Sequence, residues 1–383
     1  MLAAEAPRLA LVAGEASGDL LGGLLLQGLR QRWPELSSVG IGGARMAAQG
    51  FQSWAPMDRL SVFGYVDALA RLPELLRMRR QLAQRLLDDP PAAFIGIDAP
   101  DFNFGLERRL RERGVKTIHF VCPSIWAWRG ERVRSLARAA DHVLCLFPFE
   151  PALLQRQGVA ATFVGHPLAD AIALQPPREA ARTALGLADA DTVVALLPGS
   201  RVSEIRHIAP RLLAAAALMH QRRSGLRFVL PVAPGLRSLV EPLVTESAGQ
   251  ASVTLLNGQS HAALAACDLT LVASGTAALE AALFKRPMVI TYHLGWLNWQ
   301  RMKRMAYQPW FGLPNILCGE FVVPELIQDA ATPEALALEG LAWLDDSARQ
   351  QALRRRFVDL HQLLRQDTAR RAGDAIEQVL QAR

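Results

Sequence analysis

Leu196-Leu-Pro-Gly-Ser-Arg-Val-Ser-Glu204 is the stretch that decides how this chain folds. The apolar run Val193 to Leu197 reads as a buried strand that stops abruptly at Pro198-Gly199-Ser200. An Ala- and Leu-rich helical stretch follows from about His207 to Gln221. A short turn of small residues between strand and helix leaves backbone N–H groups free to face an anion. Arg201, just past the turn, adds a guanidinium that can grip phosphate at two points. The design recurs downstream, where Leu269-Thr-Leu-Val-Ala273 runs into Ser274-Gly275-Thr276 and then a helix from Ala277 to Phe284. Thr276 is placed to cap that helix, and Glu280, four residues on, shares its face. Free N–H groups for phosphate, with a carboxylate one turn deeper for vicinal ribose hydroxyls, describe a nucleotide-diphosphate site. An ordinary βα loop would explain either turn alone. Two in one half of the chain, one with Arg and one with Glu, favour the ligand.

At 383 residues the chain is long enough for two domains, each with its own core. A hydrophobic content of 51% with 20% charged residues marks a folded, globular protein. The net charge of +6 is carried almost wholly by arginine, the lysines being Lys116, Lys285 and Lys303. No basic run interleaved with aromatics suggests a nucleic-acid surface. Cysteines 122, 145, 267 and 318 lack CxxC spacing, so reduced thiols, no metal and a cytoplasmic setting are expected. The N-terminus carries Glu5 and Arg8 and leads directly into a strand, unlike a signal peptide. The longest apolar stretch, Ala262 to Phe284, is broken by Asp268, Glu280 and the Ser-Gly-Thr turn, which suits βα packing better than a membrane span.

Working back toward the start, the first half alternates in the same way. Strands are expected at Leu9–Ala13, Ala93–Ile97, Thr117–Val121 and His142–Leu146, with a helix at Leu20–Arg32. The fold class is α/β, with two Rossmann-like lobes of parallel sheet facing across a cleft and ligands at the carboxyl ends of the strands. Residues 1–170 are expected as an N-terminal domain and 171–346 as a C-terminal, nucleotide-binding domain. Residues 347–383 are expected as helices that pack back on the N-terminal lobe. No glycine cluster matches GxGxxG, so NAD is not expected.

Within the first half, Gly14-Glu15-Ala16-Ser17-Gly18-Asp19 joins a strand to a helix, which Asp19 or Ser17 would cap. Glu15, Ser17, Gly18 and Asp19 are therefore assigned to the acceptor side of the cleft. Asp98 ends the strand Phe94–Ile97, where an ionised carboxylate can remove a proton from an acceptor hydroxyl. Capping is the bland alternative, but Asp101, ahead of an expected helix Phe104–Arg113, already suits that job. His166 is the second choice of base. In Pro123-Ser-Ile-Trp-Ala-Trp-Arg129, Trp126 and Arg129 suggest a ligand-facing wall.

These stretches, read in order, form a known series. GEASGD (14–19), GIGGARM (40–46), GIDAPDFN (96–103), PSIWAWR (123–129), FVGHPLAD (163–170), LLPGSRVSEI (196–205), SGTAALE (274–280) and LPNILCGE (313–320) closely resemble the motifs of the lipid-A-disaccharide synthase family. The resemblance covers almost the whole chain and implies a GT-B fold. It implies an enzyme that joins UDP-2,3-diacylglucosamine to 2,3-diacylglucosamine 1-phosphate, releasing UDP and forming a β-1,6-linked disaccharide. Carried onto matching positions, it makes Asp98 the base and places Arg201, Glu280 and Asn315 in the UDP-sugar site, beside Gly199, Ser200, Ser274, Gly275 and Thr276. The family pattern has Arg-Glu after the last glycine, where this chain has Glu320-Phe321.

An α-linked donor and a β-linked product imply one in-line displacement with inversion. No cofactor and no bound metal are expected, as in similar GT-B enzymes. Because both substrates are acylated, peripheral contact with the inner face of the inner membrane is expected. Residues 57–87 offer leucines interleaved with arginines, and 296–311 a second aromatic and basic segment. A homodimer is compatible with this reading. Two rivals of the same fold are a UDP-N-acetylglucosamine 2-epimerase and a peptidoglycan N-acetylglucosaminyltransferase.

Overall fold

The computed structural model describes residues 6–60, 64–127, 130–293, 295, 299–300 and 309–382, and only the backbone of 64–70. The chain divides into two compact units, Met1–Ala171 with Leu363–Arg383, and Ile172–Gln362.

The first unit is built on seven parallel strands in the order β3-β2-β1-β4-β5-β6-β7. They are β1 Arg8–Ala13, β2 Ser37–Ile41, β3 Gln52–Ala55, β4 Ala93–Ile97, β5 Lys116–Phe120, β6 His142–Cys145 and β7 Ala161–Phe163. The second unit has six parallel strands in the order β10-β9-β8-β11-β12-β13. These are β8 Thr192–Leu197, β9 Leu226–Val232, β10 Val253–Asn257, β11 Leu269–Ala273, β12 Met288–Tyr292 and β13 Glu325–Ile327. Helices on both faces leave the central strands no solvent side, and a continuous apolar run is the signature of that burial. Leu9 to Ala13, Phe94, Ile95, Ile97, Val193 to Leu196 and Leu269 to Val272 are accordingly buried. Each such Val, Leu or Ile contributes roughly 1.5–3 kcal/mol.

In each sheet the first strand sits centrally and the order reverses beside it. The reversal lies between β1 and β4 in the first unit, where Ala13 pairs with Ile97. In the second it lies between β8 and β11, where Leu197 pairs with Val272. Strand ends at such a reversal diverge, so their loops open a crevice for ligands.

The helices start earlier than the sequence suggests. Ala16–Arg32, Pro100–Arg111 and Val202–Arg222 each begin within about a turn of the preceding strand. Residues expected as loop are first-turn residues, where small and acidic side chains are favoured. The segment 57–87 also departs from expectation. Side chains of 61–70 lie outside the described residues, but Leu60, Met78, Leu82, Ala83 and Leu86 belong to the core, with Leu75 packed against them. From Leu75 onward the leucine face of helix Gly64–Asp88 is a core face, while Leu72, one turn earlier, is exposed. Of 296–311, positions 296–298 and 301–308 lie outside the described residues.

Only the last helix belongs to the first unit, a correction to the expected return of all of 347–383. Helix Ser347–Leu364 is tied into the second unit. Its Arg349 lies 3.8 Å over the Trp343 ring, Arg356 pairs with Glu320, and Lys285 Nζ is 2.5 Å from His361 Nδ1. Helix Thr368–Gln381 packs in the first unit through Ala369, which abuts Gly28 so closely that any Cβ there would overlap it. Arg32 pairs with Asp374 and Glu377, and Asp170 accepts from the amides of Asp367 and Thr368.

Candidate active site

In the first unit, Asp98 stands half-buried at the end of β4. Asp98 and Ala99 have φ of 49° and 45°, so two successive non-glycine residues are left-handed. Such residues cost of order 1–3 kcal/mol each and gather at functional sites. Val121, which leaves β5 on the neighbouring strand, has φ 81°. That turn ends β5 at Phe120, one residue before the expected end. Asp98 N–H donates to Phe120 O at 2.9 Å, tying the two strand ends together. Ala99 presses against Gly14, where an added Cβ would lie 3.0 Å from Ala99 Cβ. The Gly14–Asp19 segment and Asp98 therefore share one switch point.

Asp101 does not cap its helix; it is exposed and pairs with Arg132 at 2.6 Å. Asp19 is buried and caps a different helix from the one expected. Its carboxylate accepts from the amides of Gly43, Arg45 and Met46 at 2.8–3.0 Å, at the start of the short helix Ala44–Ala47. It fixes the Gly40–Met46 loop. Glu15 and Ser17 are half-buried at the start of helix Ala16–Arg32, while Gly18 packs under them.

Trp126 forms a wall with Phe147 and Phe149, at ring distances of 6.2 and 5.4 Å. Its indole N–H donates to Glu150 Oε1 at 3.0 Å. Glu150 Oε2 accepts from Phe147 N–H, and burial pushes the carboxyl up to about 8. His166 stacks on Phe147 at 6.1 Å. Burial pushes His166 down to about 3, so its ring is neutral, and Nδ1 accepts the Leu168 N–H at 3.2 Å. The proton then sits on Nε2, leaving no free lone pair for a base. Arg129 lies outside the described residues.

In the second unit the first turn holds a surprise. Ser200 N–H and Arg201 N–H donate to Glu204 Oε2 at 2.9 and 3.2 Å, and Arg201 Nη1 lies 3.4 Å from Glu204 Oε1. The chain fills this nest with its own carboxylate: Glu204, in the first turn of the helix, reaches back to the N-cap amide of Arg201. Gly199, with φ 112°, lets the backbone curl around it. Arg201 itself remains exposed at the surface.

The second turn is the open one. Gly275, φ 150°, has open space where a Cβ would stand, and helix Thr276–Leu283 begins immediately after it. Thr276 is the first helical residue rather than the cap, so its own N–H and that of Ala277 have no partner inside the helix, while Ala278 N–H donates to Gly275 O at 3.1 Å. Ser274 Oγ donates to Phe311 O at 3.0 Å, which anchors the turn. Glu280 is almost buried one turn deeper, 3.6 Å from His261 Nε2.

Asn315 is engaged within its own loop. Its Nδ2 donates to Val323 O and Glu325 Oε1, and its Oδ1 accepts from Val322 and Val323 amides, all within 3.0 Å. That uses every donor and acceptor of the amide. Asn315 and Glu325, which also accepts from the Phe311 and Gly312 amides, hold the 311–325 loop against the Ser274 turn. Glu320 is spent on Arg356, and Phe321 is 60% exposed.

The profile of a family described as Lipid-A-disaccharide synthetase matches residues 9–379. A lipid-A-disaccharide synthase of Albidiferax ferrireducens is 58% identical, covering 98% of this chain and 97% of the relative. One from Verminephrobacter eiseniae is 57% identical over 99% of both chains. Among solved structures, MurG of Acinetobacter baumannii has a TM-score of 0.60 at 16% identity, covering 97% of this chain and 99% of that one. UDP-GlcNAc 2-epimerase from Neisseria meningitidis bound to UDP-GlcNAc scores 0.63 at 10% identity, with coverages of 97% and 99%. At those identities the last two share the fold.

Proposed function

This chain belongs to the lipid-A-disaccharide synthetase family, and on that premise we propose how its two switch points divide one glycosyl transfer. The reaction condenses UDP-2,3-diacylglucosamine with 2,3-diacylglucosamine 1-phosphate to the β-1,6-linked lipid A disaccharide 1-phosphate. The epimerase and peptidoglycan-transferase readings rest on shared fold alone.

Asp98 is the observation that carries the mechanism: a partly accessible carboxylate held on left-handed backbone at the strand-order reversal. It takes the proton from the acceptor 6-hydroxyl as that oxygen bonds to the donor anomeric carbon. The bond from that carbon to the diphosphate breaks on the opposite face, so the configuration inverts and UDP leaves with its electron pair. The second unit receives that charge. Its open Gly275 turn presents helix N-terminal amides, Arg201 offers a guanidinium, and Glu280 suits the ribose hydroxyls. Because Glu204 occupies the first nest, the phosphates belong at Gly275–Thr276 with Arg201 reaching from the side.

Both substrates carry acyl chains, and among the described residues no helix is long and apolar enough to cross a membrane. The acyl chains support peripheral contact at the inner membrane, and exposed Leu72 beside Arg71 is the described part of that proposed contact.

Hydrogen–deuterium exchange with UDP tests the division of labour. Peptides covering 274–278 are expected to gain protection, while those covering 14–19 and 98–103 do not change. Protection at 14–19 with none at 274–278 would place the donor in the wrong unit.

A further inference from the structure

Asn103 lies one turn into helix Pro100–Arg111, wholly buried beneath Asp98. Its side-chain amide donates to Asp98 O at 2.8 Å, with Val12 O and Ile97 O at 3.3 and 3.4 Å. Those three carbonyls belong to the ends of β1 and β4, the two strands that part at the switch point. Main-chain N–H groups of Phe102 and Asn103 also hold Ala99 O at 3.0 Å. The left-handed pair Asp98–Ala99 is thus clamped from below on both carbonyls.

A buried polar line continues behind the clamp. Glu107 is one turn further along the same helix face, and its Oε1 is 2.7 Å from His119 Nδ1 on β5. Both are fully buried. Gly96 of β4 leaves them room, since a Cβ there would stand 2.1 Å from Glu107 Oε1 and 3.0 Å from Asn103 Cβ. Asn103 Oδ1, Glu107 Oε2 and His119 Nε2 are buried with no hydrogen-bond partner. Apolar side chains of similar volume would fill this space more favourably. A costly polar line placed under a strained carboxylate-bearing turn points to a task other than stability.

We propose that Asn103 is a positioning residue for Asp98: its amide holds the Asp98 carbonyl, and thereby the left-handed turn that aims the carboxylate. The Gly96–Glu107–His119 packing fixes the helix that carries it. The inference rests on the base role given to Asp98 and extends it by one residue.

The test is a double-mutant cycle on turnover. Asn103→Ala is expected to lower kcat about 100-fold, the cost of a misplacement near 1 Å, with the donor KM little changed. In an Asp98→Asn background the same substitution should cost less than about threefold, because the group it positions is gone. A plain structural defect would lower turnover by the same factor in both backgrounds, and that equality would overturn the proposal, as would an Asn103→Ala enzyme of parental kcat. Asn103→Ser and Asn103→Asp repeat the measurement if the alanine form does not fold; failure of all three to fold would assign Asn103 a structural role and end the proposal. The underlying reading has its own control: undiminished turnover by Asp98→Asn sinks the base itself, whereas an inactive Asp98→Asn beside a fully active Asn103→Ala sinks only the positioning role.

Discussion

Asp98→Asn is expected to lower kcat about a thousandfold, within the range a positioned general base supplies, while UDP affinity stays within about twofold of the parent. Asparagine is the informative substitution because of the backbone. At φ 49° most side chains would strain the turn, but Asn tolerates the left-handed region nearly as well as Asp. The variant therefore keeps the shape of the site and removes only the basicity. Alanine would confound lost chemistry with a relaxed turn. Steady-state UDP release, paired with a UDP titration, separates the two effects, since the proposed nucleotide site is in the second unit. A kcat within tenfold of the parent would remove Asp98 from the mechanism.

The second large effect concerns stability and lies at the opposite ends of the switch strands. Arg182 is fully buried, and its guanidinium donates to Ala266 O, Ala188 O, Asp189 O, Asp191 O and Asp268 Oδ2 at 2.8–3.0 Å. Asp268 Oδ2 also accepts from Val193 N–H, so one ion pair joins the starts of β8 and β11. Arg182→Met keeps much of the apolar stem but strands four carbonyls and leaves the Asp268 carboxylate to Arg178 and the Val193 N–H. Breaking a buried pair from one side costs roughly 3–5 kcal/mol, which in a unit of this size lowers the melting temperature by about 10 °C. Arg178 provides the comparison, for it pairs with the same Asp268 at 2.8 Å but keeps 38% of its side chain exposed. Solvent screening should hold Arg178→Ala to about 1 kcal/mol or less. Scanning calorimetry reads both; similar losses for the two variants would mean that burial does not decide the strength of this brace.

Much of the fold was legible because parallel strands buried on both faces must be apolar throughout. Runs such as Ala93–Ile97 and Leu269–Ala273 stand in the structure at their expected limits. Helix starts were less legible. Ser17, Asp101 and Ser203 resemble loop residues in a linear reading, yet they occupy first turns where polar side chains are equally at home. Long-range capping was hidden for a different reason. Asp19 serves amides more than twenty residues away, and no local pattern announces a partner at that distance. Asn315 lends its whole amide to shaping the 311–325 loop, a role no linear motif announces. The segment 57–87 was ambiguous in principle: a helix covering a sheet and a helix lying on a bilayer need the same spacing of leucines. Glu204 was hidden too, because the capping-box signature has an accepting side chain at the N-cap and this chain has Arg201 there.

The account stands most directly on the identity and linkage of the product. Purified protein incubated with UDP-2,3-diacylglucosamine and 2,3-diacylglucosamine 1-phosphate should release one UDP per disaccharide 1-phosphate formed. Proton NMR of that product should show a single β-1,6 linkage, the outcome of one displacement at the anomeric carbon. An α-linked product, or UDP released with free monosaccharide and no disaccharide, would contradict it.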